Sequence, residues 1–359
     1  MKKNQKTIVG NIKNLLNLVY KQLEKPFTPP KKNLKKLQPE FDSFLKTNNV
    51  IKKFYKREEL QITDFDNLQS ISFKTEGDLL IKGFLYTPNK KSNKWLISCH
   101  WFAGYKNYAL HYSRVFTKLG WNVLVFDFRN HGDSQKSQTT IVDEYKDLLA
   151  AISWLKDNKK IDELALMGVS MGAFIVNYVA IKYAEMLKEL NLKLIVSDCP
   201  YASVYTLFIH LKGIYLKLST KTSTKKMVMK YINLLETKNP QTDFLNADIF
   251  KLFKQNYKPL APGLFFHSLN DHVTPPSDTY ELLIARAKSI PNDEHKIYTY
   301  APHTQAIRIH FKSYNYVLAD FINRISPEND LFKKLLEEWK LLEIDDKKNK
   351  YDKKALQLE

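Results

Sequence analysis

From residue 68 onward, short unbroken apolar runs alternate with longer stretches whose apolar residues recur every three or four positions. Gln69 to Lys74 and Leu79 to Thr87 alternate apolar and polar, which predicts two antiparallel strands, the second ending at Pro88-Asn89. Lys94 to His100, Asn122 to Phe128, Glu163 to Gly168 and Leu192 to Asp198 are apolar throughout, as strands buried on both faces are. Between them, helical spacing covers Asn107 to Leu119, stopped by Gly120, then Val142 to Lys156 and Ala173 to Leu187. Strand alternating with helix implies a mostly parallel sheet flanked by helices, an α/β class.

After Ser203 this alternation is interrupted. Residues 205–237 read as helices carrying Leu207, Phe208, Leu211, Ile214, Tyr215, Met227, Tyr231 and Leu234 among many lysines. The sheet pattern resumes at Gly263 to Leu269 and Lys296 to Ala301, followed by a helix from Thr304 to Ile325. A helical insertion between two sheet strands reads as a cap.

The expected organisation is therefore a basic helical extension over 1–60, a first part of the core over 61–203, a cap over 204–262, a second part of the core over 263–325, and a charged tail over 326–359. In the extension, Ile8, Val9, Ile12, Leu15, Leu16, Val19 and Leu23 form a helical stripe interleaved with Lys6, Lys13 and Lys21. Such a stripe docks on the protein's own surface or lies in a membrane interface. In the tail, Leu331, Leu335, Leu336 and Trp339 mark one amphipathic helix, with fraying beyond Asp345. No internal repeat is visible.

Apolar residues make up 44% of the 359 and aromatics 13%, enough for a sizeable core, which excludes global disorder. The formal charge of +18 comes from lysines spread over the whole length, without a nucleic-acid-binding motif. Nucleic acid is therefore not an expected partner, whereas an anionic membrane surface is compatible with the charge. The two cysteines, Cys99 and Cys199, each end an apolar run and read as reduced, buried thiols of an intracellular protein. With no run near the ~20 apolar residues of a spanning helix and no secretory signal, a cytoplasmic location is expected, with peripheral membrane contact through the N-terminal helix or the cap.

The chemistry begins at Gly168-Val169-Ser170-Met171-Gly172, where a strand turns sharply into a helix with a serine at the apex. A Cβ at either glycine would collide with the neighbouring element. A serine hydroxyl needs a base to become a nucleophile, and the base needs a carboxylate to fix its tautomer. Asp271, in the turn after the strand Gly263 to Leu269, is the acid candidate; an ordinary Asx-turn role is the alternative, and Asp198 is the rival acid. His303, in the loop after the last expected strand, is the base candidate, since His295 precedes that strand and His310 falls in the following helix. The developing oxyanion needs two donors. The Met171 amide is one, and the loop His100-Trp101-Phe102-Ala103-Gly104 offers the other, Phe102 with Trp101 as rival.

Together with Asp127-Phe128-Arg129-Asn130-His131-Gly132-Asp133-Ser134, and with Val273 and Pro275 beside Asp271, these segments resemble an α/β-hydrolase over residues 68–325. The stretch Ser197 to Ser203 is similar to one in a branch of bacterial hydrolases of poorly defined substrate, and the whole looks esterase- and lipase-like. The resemblance implies an eight-stranded, mostly parallel sheet and a Ser-Asp-His triad that needs no cofactor or metal, with Asp127, Arg129 and His131 in structural positions. Where the family has His-Gly, this chain has His100-Trp101; tryptophan takes positive φ only at a cost, which predicts a differently shaped oxyanion loop.

The resulting expectation is a serine hydrolase that cleaves carboxylic esters, with apolar acyl chains, through an acyl-enzyme. Its substrate would be a small-molecule or lipid-like ester; the oligomeric state is left open. Amide, peptide or thioester hydrolysis on the same triad stands beside it, as does a non-catalytic, membrane-associated binding protein that kept the fold.

Overall fold

The structure, a computed structural model, describes residues 39–137, 141–215, 221–238, 240, 242 and 244–343. The apolar stripe from Ile8 to Leu23 and the tail beyond Asp345 lie outside the described residues. Eight strands form one sheet: β1 Leu68–Lys74, β2 Leu80–Tyr86, β3 Lys94–Cys99, β4 Asn122–Phe126, β5 Glu163–Val169, β6 Leu192–Asp198, β7 Gly263–Ser268 and β8 Glu294–Tyr298. Their order across the sheet is β1-β2-β4-β3-β5-β6-β7-β8. β1 and β2 pair antiparallel with each other, β2 runs antiparallel to β4, and every remaining pair is parallel.

The burial of each strand follows its place. β4, in the interior of the sheet, is buried at every position, whereas edge strand β1 buries only alternate residues toward its end. Within β5, Leu164 and Leu166 join one apolar cluster while Ala165, Met167 and Val169 join the other, the two-residue period of a strand covered on both faces.

One face is covered by α1 Pro39–Val50, by α2 Lys106–Tyr112 and α3 Arg114–Lys118, and by a long helix containing Tyr314, Leu318 and Phe321. Phe44, Ile51, Tyr55, Leu60 and Ile62 are buried in that layer, so the segment 44–62 packs against the core through these side chains. α4 Glu144–Asn158, α5 Met171–Lys182 and α6 Ala184–Glu189 cover the opposite face through Leu148, Ile152, Leu155, Ile175, Val179 and Leu187.

Among the described residues, three helices lie between β6 and β7: α7 Val204–Tyr215, α8 Lys221–Lys238 and α9 Ile249–Lys254. Val204, Leu207, Val228, Ile232 and Leu235 extend the α4–α5 cluster outward. Polar ties fasten this segment to the core: Thr206 Oγ1 donates to Asp278 at 2.6 Å and Thr242 Oγ1 to Asp143 at 2.7 Å. Among the described residues, α10 Pro276–Ala287, α11 Ala306–Ile309, α12 Phe311–Ile325 and α13 Asn329–Glu338 follow β7.

Three expected helices are each broken in two. At the α2–α3 junction, Ser113 Oγ donates back to the Ala109 carbonyl at 2.7 Å, a bond that bends helices. Tyr183 interrupts the helix expected over 173–187, and His310 stands at the break between α11 and α12, its Nε2 donating to the Tyr300 carbonyl at 2.7 Å. The last strand also lies earlier than Lys296 to Ala301. Glu294 and His295 pair with Leu264 and Phe265, while the Ala301 amide leaves the ladder to donate to Ser268 Oγ at 2.7 Å. His295 is thus inside β8, and His303 lies in a longer loop beyond it.

Candidate active site

Ser170 sits between β5 and α5 with φ 55° and ψ −112°, a backbone conformation costly for any residue with a Cβ. Its amide donates to the Asp198 carbonyl at 2.8 Å, which locks the turn onto the end of β6. The flanking glycines are required by contact: a Cβ on Gly168 would stand 2.2 Å from the Gly172 carbonyl oxygen, and one on Gly172 only 2.4 Å from that of Cys99. The start of α5 therefore lies against the end of β3.

Two side chains from distant loops meet this serine. His303 Nε2 is 2.8 Å from Ser170 Oγ, and His303 Nδ1 is 2.7 Å from Asp271 Oδ2. A carboxylate only accepts, so Nδ1 carries the proton and Nε2 is left to accept the serine hydroxyl. Asp271 is held in turn: Oδ1 accepts the amides of Val273 at 2.7 Å and Thr274 at 2.9 Å, and Oδ2 also accepts Thr274 Oγ1 at 3.0 Å. Burial works against its ionisation, yet hydrogen bonds from His267 and His303 outweigh burial and hold the carboxyl well below the usual carboxylate range. Behind His303, Tyr112 donates its hydroxyl to the carbonyl of Thr304, fixing the loop's main chain.

The rival acid is engaged elsewhere. Asp198 is buried under the elbow, where Oδ2 accepts the Tyr314 hydroxyl at 2.9 Å.

The loop His100 to Gly104, the candidate oxyanion loop, is a tight turn closed by the Gly104 amide on the Trp101 carbonyl at 2.9 Å. Positive φ falls on Ala103, at 64°, and not on Trp101, so the strain expected of tryptophan is displaced by two residues. Trp101 packs instead on Tyr108 and Tyr112, with ring centroids 5.2 and 5.6 Å away, and Phe102 meets the His131 ring edge-on at 5.6 Å. His100 sets the height of this loop. Its Nδ1 donates to the Trp101 carbonyl at 2.7 Å and its Nε2 accepts the Phe128 amide at 3.1 Å, an arrangement only the neutral ring can make. Burial lowers its pKa far below the ordinary value, in agreement with that role. Among the described residues, neither the Met171 amide nor the Phe102 amide donates to a protein acceptor.

The loop after β4 supports this arrangement from below. Asp127 accepts the Lys106 amide at 2.7 Å, Lys106 Nζ at 2.6 Å and the Asp133 amide at 2.9 Å. Arg129 grips Asp147 through Nε and the terminal Nη2, and His131 Nδ1 donates to the Arg129 carbonyl at 2.9 Å.

Sequence reasoning did not single out His267 or His210. His267 Nε2 lies 3.4 Å from Asp271 Oδ2, and His210, from α7, donates through Nε2 to the Asp271 carbonyl at 3.1 Å. The visible signal for His267 was a lone imidazole within an apolar strand; for His210 there was none. Cys199, His267 and Asp271 bring potential ligand atoms within 4.8 Å of one another. Burial pushes the Cys199 thiol well above its usual range and both Asp271 oxygens are already taken, so the group fits a hydrogen-bonded network and not a ligand set.

Residues 94–224 match a family model described as the alpha/beta hydrolase fold. The chain is 29% identical over 219 residues to the uncharacterized protein YqkD of Bacillus subtilis, a match covering 56% of this chain and 63% of that one. It is 28% identical over 112 residues to an uncharacterized 31.7 kDa protein of Escherichia coli, covering 30% and 37% respectively. The chain thus spans less than two thirds of the length of these relatives. The solved Pyrococcus furiosus esterase Pf2001 superimposes with a TM-score of 0.56 at 23% identity, covering 74% of this chain and 96% of the esterase. An acylaminoacyl peptidase of Pyrococcus horikoshii gives a TM-score of 0.53 at 15% identity, covering 72% and 41%. At such identities the likeness is one of fold.

Proposed function

We propose that this chain, whose residues 94–224 match the alpha/beta hydrolase fold, is a serine hydrolase of that superfamily cleaving carboxylic esters through an acyl-enzyme. The observation that carries this reading is the unbroken relay from Ser170 Oγ through His303 to Asp271, at 2.8 and 2.7 Å.

In this mechanism Ser170 Oγ attacks the ester carbonyl as His303 Nε2 takes its proton, and the C–O bond to the alcohol breaks as the same proton passes to the leaving oxygen. Asp271 keeps Nδ1 protonated and stabilises the transient imidazolium. The amides of Met171 and Phe102 receive the oxyanion, since among the described residues neither donates to a protein acceptor. Water, activated by His303, then repeats the sequence on the acyl-enzyme and releases the acid.

The acyl group is proposed to be apolar, because the cap segment α7–α8 joins, through Leu207, Val228 and Ile232, the same apolar cluster as Phe174 of the helix that follows Ser170. Lys225, Lys226 and Lys230 are exposed on α8 and would draw the cap toward anionic surfaces, as expected of a cytoplasmic enzyme working on lipid-like esters. No described helix is long and apolar enough to cross a membrane.

The test is turnover of a chain-length series of aryl esters by the wild type and by Ser170→Ala. The reading expects rates that rise with apolar acyl length and fall at least ~10³-fold in the variant. Equal rates for all lengths would remove the acyl preference, and faster cleavage of the matching anilides would replace the ester by an amide.

A further inference from the structure

We propose that His267 is a positioning residue for this reaction, sharing the Asp271 carboxylate with His303 and limiting the negative charge that His303 meets. The inference rests on the triad reading above and assigns His267 a role that reading does not require.

His267 is fully buried near the end of β7. Its Nδ1 lies 2.7 Å from Thr279 Oγ1 on α10, and its Nε2 lies 3.4 Å from both Asp271 Oδ2 and Thr274 Oγ1. A carboxylate oxygen favours a proton on the nitrogen facing it, so Nε2 of the neutral ring is the donor and Nδ1 accepts the Thr279 hydroxyl. Every partner is then satisfied by one tautomer. Asp271 Oδ2 accordingly meets donors at 2.7 Å from His303, 3.0 Å from Thr274 and 3.4 Å from His267.

The consequence is electrostatic. An aspartate that faced His303 alone would stabilise its imidazolium more strongly and keep the base protonated to higher pH. A second imidazole N–H on the same oxygen takes up part of that charge. The longer contact, 3.4 against 2.7 Å, makes His267 the minor partner, as a tuning group must be. The surroundings are otherwise fixed. Asp198 faces both histidines from the end of β6, and Asp278 faces His267 from α10. His210 approaches Asp271 from α7, and Cys199, its thiol kept protonated by burial, lies beside the carboxylate.

The experiment is the pH profile of kcat/KM for a short aryl ester, measured with the full-length chain. His267→Ala is expected to move the acid limb upward by about one pH unit while Ser170 still reacts with a fluorophosphonate. His267→Gln, whose Nε2 can donate near the same point, is expected to restore the wild-type limb. Thr279→Val, which frees Nδ1 to take the proton, is expected to move the limb in the same direction by less; this variant carries the test if His267→Ala does not fold. An acid limb unmoved in the folded His267→Ala or Thr279→Val protein, with any loss confined to melting temperature, overturns the inference and leaves the triad reading intact. Turnover that survives Ser170→Ala overturns both.

Discussion

Nε2 of His210, on α7, donates to the main-chain carbonyl of Asp271 at 3.1 Å. The helical segment between β6 and β7 is thereby fastened to the residue that holds His303. Burial lowers the His210 pKa, but a carbonyl accepts from the neutral and the charged ring alike, so the tie holds across the working pH range. His210→Ala should lower kcat/KM about fivefold, the equivalent of one net hydrogen bond. His210→Gln should recover most of the loss. Unchanged kinetics with esters of every length would mean that this contact has no hold on the acid loop.

The backbone of Ser170 makes a separate prediction. With φ at 55° and ψ at −112°, the serine is held in a region where only glycine is unstrained. Ser170→Gly and Ser170→Ala should both be inactive, yet the glycine variant should be the more stable by about 1 kcal/mol, read by chemical denaturation. Equal midpoints would show that the elbow stores no strain.

Asp278 predicts how stability varies with pH. Buried at the start of α10, it accepts the Ala202 amide at 2.7 Å and the Thr206 hydroxyl at 2.6 Å, but burial wins and its pKa is pushed up to about 6. A carboxyl that binds its proton more tightly when folded penalises the native state above the folded pKa and not below the unfolded one. Stability should therefore fall as pH rises from about 4 to 6, the span between the unfolded and folded values. Asp278→Asn should gain up to about 3 kcal/mol over the wild type at pH 8, and the gain should vanish below pH 4, as followed by melting temperature. A pH-independent difference would refute this.

Trp101 gives a further test. Because Ala103 takes the positive φ, Trp101→Gly relieves no strain and only removes the packing on Tyr108 and Tyr112. The variant should lose about 2–3 kcal/mol of stability with no rise in kcat. A gain in kcat would show that the loop wants glycine at this position.

How much of this was legible in the chain depended on which force decided each feature. The strands around the elbow were, because both their faces are covered and continuous apolar runs have few other uses: β3 and β6 occur where their patterns predict. β8 was displaced because Glu294 and His295 carry no apolar signal and enter the sheet only through pairing with β7. The helix breaks at Ser113 and His310 come from side-chain bonds to carbonyls four and ten residues back, which periodicity does not register.

The residues singled out at 170, 271 and 303 are the ones the fold brings within hydrogen-bond distance, since their order along the chain matches the order of the strands that carry them. His210 and His267 escaped notice because their contacts with Asp271 depend on how α7 crosses the loop and how β7 faces it, both properties of packing. Which residue of the loop 100–104 takes its positive φ was not legible either, because a turn that needs one such residue can put it on Ala103 without any signal in the sequence pattern.

The measurement that tests the central claim most directly is intact-mass spectrometry of the protein after exposure to a fluorophosphonate, with the modified peptide sequenced. The account predicts one phosphonyl group per chain, attached to Ser170, abolished in Ser170→Ala and slowed at least ~10²-fold in His303→Ala. A wild-type protein that stays unmodified, or one labelled equally well when residue 170 is alanine, would contradict it.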